Sequence, residues 1–245
     1  MAKRTVSHIR KTYIARLFGR SILFICALIL YFTNFARHDI LQGWDFFRKL
    51  SWLHLLWVLW IIDMVCQLIP AKDIALGSHK YLKGYFKAAK EQITPQALKN
   101  HIRATTKSAY VVMLVWVALI AVLGVLKFTG IVLDSHLFLI SVAFYVCDLI
   151  CVLVWCPFRL TLGNRCCTTC RIFNWDHFMM FTPMLYVKGF FSWSLLGLAI
   201  VILLIWELCV LMHPERFWEK TNAALKCSHC TDKLCTQYCQ KLRKR

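Results

Sequence analysis

Apolar positions in this chain gather into blocks rather than alternating. The blocks fall at about residues 15–35, 50–69, 108–128, 131–155, 175–187 and 190–212. Five are about 20 residues long, enough to cross a bilayer core of about 30 Å as helices. The stretch 175–187 is shorter and reads as a fifth span or a re-entrant piece. Regularly spaced short alternating strands are absent, which argues against a membrane barrel. The pattern predicts an all-α polytopic membrane helix bundle of about six transmembrane helices, covering residues 1–212, with a polar tail at 213–245.

Boundary signals refine these blocks. Tyr31 to Phe35 offers no small-residue cleavage site, so the first block reads as a retained span rather than a signal peptide. Pro70 ends the second. Thr94-Pro95 resembles an N-cap followed by a helix-starting proline, opening a helix that runs directly into the third span. Thr129-Gly130 makes a tight turn, and Pro214 opens a short amphipathic helix. Between Pro70 and Thr94, Lys80–Lys90 sets Tyr81, Leu82, Tyr85, Phe86 and Ala89 on one helical face and lysines on the other. That suits either a helix lying on anionic lipid headgroups or a solvated linker helix.

Charge orients the bundle. The chain carries 30 Lys and Arg against 12 Asp and Glu. With six spans and both termini on one side, 25 of the 30 basic residues fall in segments 1–20, 71–107, 156–174 and 213–245 on that side. Basic residues favour the cytoplasmic face. The charge of +18 is therefore assigned to topology and anionic lipid, not to nucleic acid. Both termini, loop 71–107 and loop 156–174 are expected on the cytoplasmic side of a multi-pass protein of the cell membrane.

On that reducing side, eight of the 13 cysteines fall in two groups. Cys227, Cys230, Cys235 and Cys239 form C-x2-C-x4-C-x3-C in the tail, able to close a four-sulfur site around zinc or an iron–sulfur cluster. Cys156, Cys166, Cys167 and Cys170 form the loop group, beside Arg159, Arg165 and Arg171. Arginines there would favour thiolates, so metal ligation and thiol redox chemistry both remain open. Cys26, Cys66, Cys147, Cys151 and Cys209 read as small apolar packing residues.

The words Trp155-Cys156-Pro157-Phe158, at the junction of a span and a cysteine-rich loop, resemble the Cys-Pro motifs of membrane-anchored ferredoxin-type proteins, the polyferredoxin-like quinol dehydrogenases. The resemblance implies iron–sulfur electron transfer with a membrane electron carrier or partner protein, and a ligand role for Cys156.

Asp63, Asp148 and Glu207 lie inside the second, fourth and sixth spans. Intramembrane acids are costly and face a partner, cavity or pathway. They indicate a cation or proton route, or else polar contacts between helices. His54 and His136 begin spans two and four and suggest a haem as a minor alternative. His177 follows Asp176 at the start of the short fifth block, which also contains Pro183. No phosphate-cradling glycine loop, G-x-S-x-G or H-E-x-x-H occurs, so hydrolase and ATPase chemistry has no support. The functional expectation is a membrane protein with one or two cysteine-ligated metal sites. The alternatives are a zinc-stapled transporter or scaffold using its intramembrane acids, and a membrane thiol oxidoreductase.

Overall fold

The computed structural model describes residues 8–33, 41–69, 83–91, 93–158 and 170–226. Among these residues the regular structure is helical: α1 His8–Phe32, α2 Trp52–Cys66, α3 Pro95–Phe128, α4 Asp134–Leu153, α5 Asp176–Phe181 and α6 Phe190–Met212. Helices α1, α3, α4 and α6 are long and apolar enough to cross a membrane. α2 is equally apolar but has 15 residues.

The exposed surface supports a lipid environment. On α1, Ile14, Phe18, Ile22, Ile25 and Ile29 are all exposed, and their spacing of three and four places them on one face. On α3, Leu114 and Val115 are about two-thirds exposed. Apolar stripes of that length in water would be aggregation sites, whereas against lipid tails they are ordinary. α4 is the central helix, with half of its apolar window buried, against 17% for α1 and 22% for α3.

Several expected boundaries hold. Thr94 Oγ1 accepts from the Ala97 amide and caps α3, with Pro95 in its first turn. α3 then continues without a break to Phe128. At about 1.5 Å per residue it exceeds a bilayer core, so its first turns project beyond the apolar part. There His101 stacks on Trp218 at 4.4 Å. Burial and the neighbouring Lys220 ammonium hold the His101 imidazole below its usual pKa, favouring the neutral ring. Gly130 makes the α3–α4 turn at φ 80°, a conformation glycine adopts without steric cost. Lys127 and Asp134 then pair across the turn at 2.7 Å.

Two expectations change. α1 is already helical at His8, ahead of the expected residue 15, which brings Arg10 and Lys11 into the helix. The segment read as a helix over 80–90 is a single 3-10 turn at Lys83–Tyr85 followed by extended chain, among its described residues. Its backbone is taken instead by the segment after α6. The Ala89 amide donates to the Thr221 carbonyl, and the Ala223 amide to the Lys87 carbonyl.

The short fifth block runs the length of α2. At one end the Gln67 side chain, just past α2, donates to Asp176 Oδ2 at 2.7 Å. At the other, Gly43 lies beside Gly189, with the Gly43 amide donating to the Lys188 carbonyl and the Phe190 amide to the Gly43 carbonyl. Between them the chain is one short helix, α5, and a 3-10 stretch, Thr182–Tyr186, that accommodates Pro183. Irregular backbone at membrane depth is tolerated where protein surrounds it. That condition is met: Met179, Met180, Phe181, Thr182, Pro183, Met184 and Val187 are buried, against α3, α4 and α6. Trp60 is fully buried at the centre, edge-on to Phe181 and Tyr145.

The Gly43–Gly189 contact has no room for a side chain at Gly189. A Cβ at Gly189 would run into the Leu41 carbonyl, backbone that cannot swing away as a side chain would. Gly189→Ala is expected to destabilise the protein by about 1–3 kcal/mol, read as a lower midpoint in detergent thermal unfolding. Gly197→Ala, where nothing lies within 4 Å, should leave the midpoint unchanged or slightly raised.

Candidate functional site

Arg20 organises the buried polar interior. It sits midway along α1, 7% exposed, in a helix otherwise packed through Ile9, Tyr13 and Ala27. Its Nη2 donates to Asp63 Oδ2 on α2 at 2.6 Å. Its Nη1 donates to Asp148 Oδ2 at 2.9 Å and to the Tyr145 carbonyl at 2.8 Å, both on α4. The guanidinium carbon lies 3.7 Å from the centre of the Tyr145 ring. A planar, delocalised cation meets all four demands at once, which a point-charge ammonium does not.

His177, on α5, extends the cluster. Its Nδ1 is 3.1 Å from Asp176 Oδ1, and the same oxygen accepts from the His177 amide at 2.7 Å. Its Nε2 is buried without a hydrogen-bond partner among the described residues, 3.9 Å from Asp63 Oδ2. That gap exceeds a direct hydrogen bond. The ring therefore stands between two carboxylates, engaged with one and facing the other. Two carboxylates, Asp63 and Asp148, hold the guanidinium, and Asp176 joins them through His177, so the proton on His177 changes the net charge of the group.

Asp148 and Asp176 also line a cavity of about 250 Å³ between α3, α4, α5 and the end of the cysteine-rich loop. Cys147, Cys151, Cys156 and Cys170 share its wall with Trp116, Phe144, Phe158 and Phe173. Cys147 and Cys151 are one helical turn apart on α4, the spacing that sets two side chains on one face. Cys156 follows just beyond the helix end, on the same wall. All four are thiols rather than disulfides. Reading Cys147 and Cys151 as packing residues thus misses their place on this wall.

Glu207 occupies a separate pair. It accepts from Arg171 Nη2 and, at 2.6 Å, from Trp175 Nε1. Arg171, expected to favour thiolates in the loop, is instead turned to Glu207 and is 8% exposed. The three intramembrane acids therefore all have cationic partners and do not form a single file: Asp63 and Asp148 share Arg20, and Glu207 belongs to Arg171.

Of the loop cysteines, Cys156 is buried and Cys170 half-buried, and both reach the cavity. Cys166 and Cys167 lie outside the described residues, as do the tail cysteines Cys227, Cys230, Cys235 and Cys239. Among the described residues no three His, Cys, Asp or Glu side chains converge to hold a metal ion. The histidines suggested as haem ligands are engaged elsewhere. His54 Nε2 contacts the Phe46 carbonyl and His136 Nε2 the Tyr31 hydroxyl, each at 2.7 Å, while the two Nδ1 atoms meet backbone amides at their helix starts.

Arg20 is the member that sequence reasoning passed over. It was counted with the basic N-terminal segment, although the span 15–35 already contained it. Three acids inside spans require counter-cations, and Arg20 is the arginine placed deepest in an apolar block. Comparison with protein-family models, with curated proteins and with solved structures found no match to this chain.

Proposed function

We propose that the protein is a multi-pass transporter of the cell membrane that couples cation movement to protons through the Arg20–Asp63–Asp148–His177–Asp176 cluster. The observation that carries this reading is His177, buried between Asp176 and Asp63, its Nε2 without a hydrogen-bond partner among the described residues. A buried imidazole between carboxylates can hold or release a proton as the cluster's charge changes. The cluster reaches the cavity through Asp148 and Asp176, so a cation entering there meets the same carboxylates. Cation and proton then compete for one set of negative charges, the basis of exchange.

The test is uptake into proteoliposomes under an imposed pH gradient, with a panel of Na⁺, K⁺, Zn²⁺ and Cu(I). At least one cation is expected to move faster than into protein-free vesicles. Its uptake should fall at least tenfold, about 1.4 kcal/mol, in His177→Gln and in Asp63→Asn. Uptake no faster than into empty vesicles for the whole panel would sink the reading.

The meeting of Cys156 and Cys170 at one cavity favours a second reading, a cysteine-ligated metal centre formed by the loop, with another in the tail. Anaerobically purified protein that carries iron and sulfide and absorbs broadly in the visible would support electron transfer. Colourless, stoichiometric zinc would support a structural staple.

A further inference from the structure

The cavity wall carries an unusual chemistry. Besides Cys147, Cys151, Cys156 and Cys170, it includes Met179 and Met180, so six of its fifteen lining residues present sulfur. The remaining wall is almost entirely apolar. Hard cations such as Ca²⁺ and Mg²⁺ require oxygen ligands in number, and the cavity has only the two aspartates, both already hydrogen-bonded. A tetrahedral site is also disfavoured, since no three ligating side chains converge among the described residues. What the wall does offer is thiol sulfur at one place: Cys151 in the last turn of α4 and Cys156 just beyond its end face the same cavity.

We infer that the cavity binds a soft monovalent metal cation of the Cu(I) type, held between the sulfurs of Cys151 and Cys156. Thiolate and thioether surroundings select Cu(I) over hard cations, and two sulfurs suffice for a linear, two-coordinate ion. Binding replaces the two S–H bonds by two metal–sulfur bonds and releases two protons to the surrounding buffer, with no change in oxidation state. Cys170 lies at the end of the loop, and Cys147 is exposed on the flank of α4. Together with the central pair they make a succession of sulfurs along which such an ion can exchange. The inference rests on the transport reading, to which it adds the class of cation carried.

The experiment uses the full chain, reduced and in detergent, with all four tail cysteines changed to serine (C227S/C230S/C235S/C239S) so that the tail contributes no copper. Cu(I) is titrated anaerobically against a chromogenic Cu(I) chelator. One equivalent is expected to bind, with a thiolate-to-copper band in the ultraviolet. Adding Cys151→Ser and Cys156→Ser should weaken binding on the order of 100-fold, the scale at which metal-site residues act, and abolish the band. Cys26→Ser, on an exposed face of α1, should change neither. An unaltered thermal midpoint in each variant shows that loss of binding is not loss of fold. No bound copper, or equal affinity after Cys151→Ser and Cys156→Ser, overturns the inference. Copper bound at this pair without pH-driven copper uptake in proteoliposomes upholds the site while overturning the transport reading. Uptake of another cation without copper binding does the reverse.

Discussion

Arg20→Leu is expected to be the most damaging single substitution in the bundle, costing about 3–5 kcal/mol. The physical reason is asymmetry. Removing the guanidinium leaves Asp63 and Asp148, 23% and 16% exposed, buried beside one another with no cation between them. It also leaves the Tyr145 carbonyl without its donor. Losing the attraction matters less than leaving those groups unpaired. Arg20→Lys should recover less than half of the loss, because an ammonium cannot donate to acids on two helices while lying flat on the Tyr145 ring. Combining Arg20→Leu with Asp63→Asn and Asp148→Asn should recover more, since neutral amides can satisfy one another. Thermal and denaturant midpoints in detergent decide it. A triple variant no more stable than Arg20→Leu alone would show that the charges are not the source of the cost.

The second large effect is expected at Glu207→Leu, about 3 kcal/mol. Arg171 is buried, and its Nε and Nη1 have no hydrogen-bond partner among the described residues. Glu207 is therefore its compensating charge, and the same carboxylate receives the Trp175 indole. Glu207 is itself 26% exposed, which lets water soften the penalty and ranks it below Arg20. Arg171→Met placed with Glu207→Leu should return most of the loss, because an apolar pair replaces a buried ion pair at little cost. The Trp175 fluorescence maximum should move in the single variant and stay moved in the double, as the indole loses its acceptor in both. Equal stability of the single variant and the parent protein would show that the pair contributes nothing.

Much of this architecture was legible because lipid imposes a simple code. Long apolar blocks became helices, Phe190–Met212 to the residue, and Thr94-Pro95 opened α3 because capping chemistry is local. Lys80–Lys90 misled because its helical periodicity competed with a non-local partner: backbone pairing with Thr221–Ala223 cannot be read from the segment alone. The site was half legible. Asp63, Asp148 and Glu207 were conspicuous as acids in apolar surroundings. Their partners were not, because an arginine near the start of a chain looks like a topology signal whether it ends in water or in the core. Cys147 and Cys151 were hidden for a related reason. A buried cysteine is ordinarily a small hydrophobe, and only the fold shows that these two share a cavity with Cys156 and Cys170.

The enclosed passage of residues 175–187 carries a consequence for how the chain is made. Thirteen residues with a polar start and an internal proline are too few and too irregular to enter lipid unaided. Their groove is built from α3, α4 and α6, and α6 is synthesised after them. The hairpin they form with α6 must therefore be accepted as a unit, drawn in by α6 and seated against helices already in place. Until that docking occurs, His177 and Asp176 have neither Asp63 nor Gln67 beside them. The charge cluster is thus a late product of assembly, completed only when the chain closes on itself.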